Sequence, residues 1–323
     1  MHVIAYSVSS FEIEFLENAN SLKHQIILNA KPLRLESAGL AQGSEAVIIF
    51  TSDDASEPVI NALADLGVKY IITRSSGTDH IDLKAAEKRG IKVANVPSYS
   101  PQAIAEQAVM LALALSRKLI DTSRLVHDYN FTIEKHVGFN FFGKTVGLIG
   151  LGSIGKATAA IFNGLGCKVI AFDIDQEMEM DTIERVSLEV LLKQSDIVSL
   201  HAPLNEDTRY LIKQETISQM KDGVMLINTS RGALIKSEDV LAKLEEGKIG
   251  YLGLDVYEFE KGLFFEDHSN DAEKDELLQK LINHENVIIT PHQGFLTHEA
   301  LQEIAQITMN NINAWEKEFG QSL

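Results

Sequence analysis

Thr145-Val146-Gly147-Leu148-Ile149-Gly150-Leu151-Gly152-Ser153-Ile154-Gly155 is the stretch on which the reading of this chain turns. A short apolar run with β-branched residues predicts a strand, and the glycines that follow it open a helical pattern over 154–165. In that context each glycine has a physical task. Gly150 lets the chain turn sharply, Gly152 lets a pyrophosphate come close to the backbone, and Gly155 lets helix and strand pack tightly, while the helix N-terminus offers unpaired N–H groups to phosphates. A second strand over 168–172 ends on Asp173, roughly 20 positions after the glycines, where a carboxylate accepts hydrogen bonds from adenosine ribose hydroxyls. Asp175 stands close by and no arginine is next to either residue, so a 2′-phosphate meets only negative charge. NAD, not NADP, is the expected cofactor.

Working outward, the same alternation continues. Strands are expected at 145–149, 168–172, 197–200, 224–227, 251–254 and 287–289, with helical patterns over 154–165, 188–194 and 237–246, which gives the six strands and crossovers of a dinucleotide fold. Upstream, short apolar runs at 3–8, 25–28, 46–50, 70–73 and 93–96 alternate with helix-sized segments, the pattern of a second parallel sheet covered on both faces. The fold class is therefore α/β, with two Rossmann-like or flavodoxin-like domains. Between them Gln102 to Leu119 reads as a helix apolar nearly all round, to be buried between two domains or two subunits. The stretch 120–143 is less regular and carries Phe131, Phe139, Phe141 and Phe142; it reads as an arm packed on a second subunit or on its own domain. The last helix, over 297–319, is placed to return to the first domain. The expected division is 1–99 plus 298–323 for a discontinuous domain and 100–297 for the dinucleotide-binding one.

Bulk properties narrow the partners. The protein has 323 residues and a formal net charge of −17, long enough for two cores and unsuited to the phosphate backbone of nucleic acids or to anionic membranes. A small anionic substrate remains compatible where a local arginine or a set of backbone N–H groups overrides the global field. The single cysteine, Cys167, cannot form an internal disulfide and sits at a strand entrance, which fits a packing role in a reducing compartment. Met1 to Phe11 has no signal-peptide pattern, and no stretch reaches the ~20 apolar residues of a membrane span. A cytoplasmic protein is expected, and no metal.

Several further motifs stand in order along the sequence: Arg74-Ser75-Ser76-Gly77-Thr78-Asp79, Val96-Pro97-Ser98-Tyr99-Ser100-Pro101 with Ala103-Ile104-Ala105-Glu106, the glycine loop, His201-Ala202-Pro203-Leu204, Asn228-Thr229-Ser230-Arg231-Gly232, Asp255-Val256-Tyr257-Glu258-Phe259-Glu260 and Thr290-Pro291-His292. Over essentially its whole length the protein resembles the D-isomer-specific 2-hydroxyacid dehydrogenases, in their D-lactate dehydrogenase-like branch. The resemblance implies NAD-dependent reduction of a small 2-oxo acid to the D-2-hydroxy acid, pyruvate to D-lactate first among them, and the reverse oxidation, in an active-site cleft between the domains.

By the same resemblance Arg231 is the substrate arginine, a planar two-pronged grip for a carboxylate. His292 is the general acid and base, and Glu260 the carboxylate that pairs with it. Ser76 and Gly77 match a loop whose N–H groups meet the substrate carboxylate, and Tyr99 and Phe295 match pocket walls. Gly150, Gly152, Ser153, Ile154, Gly155, Asp173, Pro203, Thr208, Thr229 and Asp255 match cofactor-contacting positions. Ser76 stands where the branch commonly has an apolar residue, and Gln293-Gly294 precede Phe295 where small residues are more usual. The alternatives are a glyoxylate or hydroxypyruvate reductase, a D-2-hydroxyacid dehydrogenase that takes longer substrates and, from another class, an NAD(H)-sensing corepressor-like protein. A homodimer is expected from the apolar helix and the phenylalanine arm.

Overall fold

The computed structural model describes residues 1–22, 24–175 and 183–320, with backbone only for 318–320; residues 321–323, which close the expected C-terminal segment, lie outside them. The protein is built as two compact units, Met1–Ser100 with Leu296–Leu323, and Pro101–Phe295.

The first unit is built on a five-stranded parallel sheet. Its strands are β1 (His2–Ala5), β2 (Gln25–Leu28), β3 (Ala46–Ile49), β4 (Tyr70–Thr73) and β5 (Lys92–Ala94), in the order β2-β1-β3-β4-β5. β3 and β4 read as unbroken apolar runs because both of their faces are buried. β1 stops sooner than its apolar run suggests, since Ser7 turns into the left-handed region at φ 49°. One face of the sheet packs on Ser10–Ala19 and on the C-terminal helix His298–Gly320, whose Ala305, Met309, Ile312 and Trp315 recur at helical spacing and join Val3, Ile48 and Ile72 in one cluster. Trp315 stacks on Tyr70 at 4.6 Å between ring centres.

The second unit carries seven parallel strands, one more than expected. They are β6 (Thr145–Ile149), β7 (Lys168–Phe172), β8 (Glu184–Arg185), β9 (Ile197–Leu200), β10 (Val224–Asn228), β11 (Ile249–Leu254) and β12 (Val287–Ile289), in the order β12-β11-β10-β9-β6-β7-β8. The added strand, β8, has two residues, too short to leave a periodicity in the sequence. Connections run outward from β6 in both directions, so the strand order reverses between β6 and β9, and ligands of open α/β sheets bind in the crevice beyond the carboxyl ends at such a switch point.

Two local expectations are corrected. The long apolar helix ends at Ser116, not Leu119, because Lys118 adopts φ 48°; a separate helix, Leu119–His127, then occupies part of the stretch expected to be irregular. That helix buries none of its side chains, which is why its pattern carries no core stripe. Met110 and Leu113 of the apolar helix are each 40% exposed in the single chain. The four phenylalanines divide: Phe141 is buried against Phe162 with Phe139 beside it, whereas Phe131 and Phe142 face solvent. Cys167 is buried, its Sγ donating to the Phe141 carbonyl at 3.3 Å, and burial pushes its thiol pKa up. Among the described residues no helix is long and apolar enough to cross a membrane, and no cluster of histidine, cysteine or acidic side chains could hold a metal ion.

Candidate active site

The glycine loop leaves β6 at the switch point and enters the helix Ser153–Gly164. Gly150 has φ 101°, and a Cβ there would run into the carbonyl of His201 past β9. A Cβ on Gly155 would strike the Gly150 carbonyl, whereas one on Gly152 would meet open space. Two glycines are thus demanded by the protein's own packing, and the third keeps a space clear that the protein does not fill. Gly152 is also the N-cap of the helix and supplies no side chain to cap it, so the first turn, with Ser153 and Ile154, keeps N–H groups available to phosphate.

Asp173 ends β7 as expected, and its carboxylate is fixed by backbone donors: Leu151 N at 2.6 Å to Oδ2 and Asp175 N at 2.9 Å to Oδ1. No arginine is next to Asp173 or Asp175 in the sequence, but the fold brings one near. Arg185 sits on β8, paired beside Ala171 of β7, and its Nη2 donates to the Asp173 carbonyl at 3.0 Å. Twelve residues of sequence separate the two, and only the short added strand brings them together.

The other carboxyl ends of the sheet carry the candidate catalytic groups. Arg231 lies three residues past β10; Asn228 Nδ2 donates to its carbonyl at 2.9 Å, and its own Nη1 donates to Ser230 O at 2.8 Å. Glu260 follows β11 and His292 follows β12, and the two side chains meet, Oε1 to Nδ1, at 2.9 Å. Glu260 Oε2 is held in turn by Tyr257 N at 2.9 Å. The imidazole is one-fifth exposed, enough to reach a ligand. With Nδ1 facing a carboxylate, Nε2 is the atom left to exchange a proton.

His292 has φ 53°, unusual for a residue with a Cβ. Asp255 explains how the turn is held. Fully buried after β11, its Oδ1 accepts from Gln293 N at 3.0 Å, from Gln107 Nε2 at 3.1 Å and from Thr290 Oγ1, while its Oδ2 accepts from Gly294 N at 2.8 Å. Burial pushes this carboxyl's pKa up against the pull of those donors. Sequence reading assigned Asp255 to the cofactor and missed this clamp, together with Gln107, which also bonds Thr290 Oγ1 at 2.9 Å from the apolar helix.

The remaining positions differ in exposure. Thr229 Oγ1, just past β10, is buried with no partner among the described residues, which suits a hydroxyl that meets a ligand at the sheet's carboxyl edge. Thr208 Oγ1 donates to the Pro203 carbonyl at 2.6 Å, closing the loop after β9. Phe295 is nearly buried, at 9%. His201, which sequence reading left without a role, has a buried and unpartnered Nδ1 and bonds Ser199 Oγ at 2.9 Å through Nε2; desolvation lowers its pKa to about 4. Ser76, Gly77 and Tyr99 belong to the first unit, Ser76 exposed on the loop after β4. The space at Gly152, the uncapped helix, the fixed Asp173 carboxylate and the unpartnered Thr229 hydroxyl together fit a dinucleotide.

Comparison with known proteins agrees with that geometry. Residues 109–294 match the family model described as D-isomer specific 2-hydroxyacid dehydrogenase, NAD binding domain. The chain is 41% identical to a D-lactate dehydrogenase of Escherichia coli (strain K12), over 98% of this chain and 97% of that protein. It is 39% identical to an aromatic 2-oxoacid reductase of Clostridium sporogenes, over 98% and 96%. Among solved structures, the pyruvate reductase of Chlamydomonas reinhardtii superposes with a TM-score of 0.92 at 42% identity, over 98% and 96% of the two proteins. The chain belongs to the D-isomer specific 2-hydroxyacid dehydrogenases, in their D-lactate dehydrogenase-like branch, and is an NAD-dependent enzyme.

Proposed function

We propose that this enzyme reduces pyruvate to D-lactate with NADH and catalyses the reverse oxidation, with Arg231, Glu260 and His292 as its catalytic residues. The observation that carries the reading is the Glu260–His292 pair at 2.9 Å, at the same sheet edge as Arg231. NADH, when bound, supplies the hydride to the ketone carbon. Arg231 holds the substrate carboxylate and polarises the ketone. His292, protonated, gives the proton on Nε2 to the oxygen as negative charge develops there, and regains a proton from water after release. Glu260 keeps the Nδ1 hydrogen in place and faces the positive form of the ring.

In this reading 1–99 plus 298–323 form the substrate domain and 100–297 the NAD-binding domain. Ser76 and Gly77 give N–H bonds to the substrate carboxylate, and Tyr99 and Phe295 bound its side chain. Gly150, Gly152, Ser153, Ile154 and Gly155 hold the pyrophosphate, Asp173 the ribose, and Pro203, Thr208, Thr229 and Asp255 line the rest of the cofactor. The enzyme acts in the cytoplasm as a homodimer. The dimer is supported by an apolar groove formed by Val109, Met110, Leu113, Leu119 and Ile161 and by the exposed rings of Phe131 and Phe142; sedimentation that finds a monomer refutes it.

The deciding experiment is NADH consumption with pyruvate, glyoxylate, hydroxypyruvate, phenylpyruvate and longer 2-oxo acids, with the product's configuration determined. Highest kcat/KM on pyruvate with D-lactate formed supports the reading, and a better short or aromatic acid replaces the substrate. Turnover below about one per minute on every acid, set against ordinary enzyme rates, points to an NAD(H)-sensing protein.

A further inference from the structure

The motif over 74–79 contributes Ser76 and Gly77 to the proposed substrate site and leaves its first residue without a task. Arg74 is 1% exposed, at the carboxyl end of β4. A guanidinium taken out of water is costly unless hydrogen bonds and opposite charge replace its hydration. Its hydrogen-bond acceptors lie at the end of β1 and its ion-pair partner on the helix Ser10–Ala19, while Nε and Nη1 have no hydrogen-bond partner among the described residues. Nη2 donates to the carbonyls of Tyr6 at 2.9 Å and Ser7 at 3.0 Å, just past β1, and Nε faces Glu12 Oε1 at 3.5 Å. The group also stands 5.5 Å over the Phe50 ring, just past β3. Asp53, fully buried, adds a second negative charge and accepts from Ser7 Oγ at 2.6 Å and from the N–H groups of Leu33 and Phe50, both at 2.7 Å.

One side chain therefore ties the carboxyl ends of β1, β3 and β4. In the order β2-β1-β3-β4-β5 the reversal falls between β1 and β3, where an open α/β sheet would otherwise offer a ligand crevice. Arg74 reaches across that edge and closes it from within. The next three residues are then fixed by their oxygens: Ser75 O accepts from Val96 N at 3.0 Å, Ser76 O from Asn95 Nδ2 at 2.7 Å, and Gly77 O from Ser75 Oγ at 2.8 Å. Among the described residues the N–H groups of Ser76 and Gly77 donate to none. Adjacent unused N–H groups on a constrained loop make a concave site for an anion.

We infer that Arg74 is a positioning residue for the substrate carboxylate: anchored to the ends of β1 and β3, it holds the loop that presents the Ser76 and Gly77 N–H groups. The inference rests on the proposed substrate site. It makes Arg74 matter for binding the 2-oxo acid and leaves the dinucleotide site, in the other unit, untouched.

The test uses the full-length protein with Arg74→Met, Arg74→Lys and the milder Glu12→Gln. NADH affinity is read by fluorescence, affinity for oxamate in the presence of NADH by titration, and pyruvate kinetics at steady state. The expected result is NADH binding within about twofold of the parent, with the oxamate Kd and the pyruvate KM raised about 10- to 100-fold in Arg74→Met, as for two poorly presented hydrogen bonds to a charged group. kcat falls much less, and Arg74→Lys recovers part of the loss. If Arg74→Met does not fold, the same KM-against-kcat split in Arg74→Lys and Glu12→Gln decides. Oxamate and NADH affinities that fall together, or an oxamate Kd unchanged in folded variants, overturn the inference. A parent enzyme that binds neither oxamate nor any 2-oxo acid sinks the substrate reading instead, which is a separate outcome.

Discussion

Glu260 Oε1 and His292 Nδ1 meet at 2.9 Å although 32 positions separate them in the sequence. The pair forms because β11 and β12 are parallel neighbours, so the segments that leave their carboxyl ends emerge side by side. Glu260→Gln keeps the shape of the acceptor and removes the charge that faces the imidazolium. We expect kcat for pyruvate reduction to fall by about 10- to 10³-fold, with Arg231→Gln and His292→Ala losing on the order of 10²–10⁴. NADH affinity stays near the parent's. A Glu260→Gln enzyme within threefold of the parent's kcat removes Glu260 from the catalytic set.

The glycines of the nucleotide loop separate folding from binding. Gly150→Ala forces a Cβ into the His201 carbonyl at a φ of 101°, so it lowers thermal stability by several degrees and NADH affinity with it. Gly152→Ala, at φ −65° with open space around it, leaves the melting temperature within a degree or two and still weakens NADH binding at least about tenfold, by occupying the space of the pyrophosphate. Calorimetry and NADH fluorescence on both variants check the pair. Equal NADH affinity in parent and Gly152→Ala contradicts the placement of the phosphates.

Much of this was legible in the sequence because the information is local. The strand, three glycines and helix of 145–164 are contiguous, and β3, β4, β9 and β10 announce themselves as apolar runs whose residues are all buried. What escaped depends on contacts between distant segments or on single dihedral angles. β8 has two residues and draws its meaning from pairing with β7, so Arg185 beside Asp173 has no sequence signal. The break at Lys118 is one left-handed residue inside a helical pattern. The clamp at Asp255 gathers donors from 107, 290, 293 and 294, and no spacing rule connects them. The roles proposed for His292 and Glu260 come through family motifs alone, since a histidine and a glutamate at those positions carry no pattern of their own.

His201 gives a pH dependence whose sign can be worked out. In the folded enzyme its pKa lies at about 4, against 6.5 for the free side chain, because desolvation disfavours the charged ring. The unfolded state therefore binds the proton more readily. The stabilisation associated with a neutral His201 is complete above about pH 6.5 and is lost as pH falls through the window down to about 4, by as much as about 3 kcal/mol. Urea midpoints measured at pH 7 and pH 5 should fall more steeply for the parent than for His201→Gln. Parallel slopes in the two proteins remove His201 from the acid limb.

Asp255→Asn tests whether the left-handed His292 is held or merely tolerated. The carboxylate accepts four hydrogen bonds, two of them from the backbone N–H groups of Gln293 and Gly294 that follow the histidine. An amide of the same size has one oxygen only, so its NH₂ must point at a donor whichever way it is turned, and at least one buried N–H or hydroxyl loses its partner at a cost of about 1–3 kcal/mol. Relaxation of that conflict is easiest at His292, whose φ of 53° is already unfavourable. A shift of even ~1 Å at Nε2, the atom proposed to carry the proton, is costly in rate, on the order of 10²-fold. The expected outcome is therefore a melting temperature lower by a few degrees with kcat reduced about 10- to 10³-fold, and Gln107→Leu, which removes one donor from the same carboxylate, following in the same direction with smaller effects. An Asp255→Asn enzyme that loses stability while its kcat stays at the parent's value shows that the turn keeps its geometry without the clamp, and the histidine's conformation then has to be ascribed to the backbone of 290–292 alone.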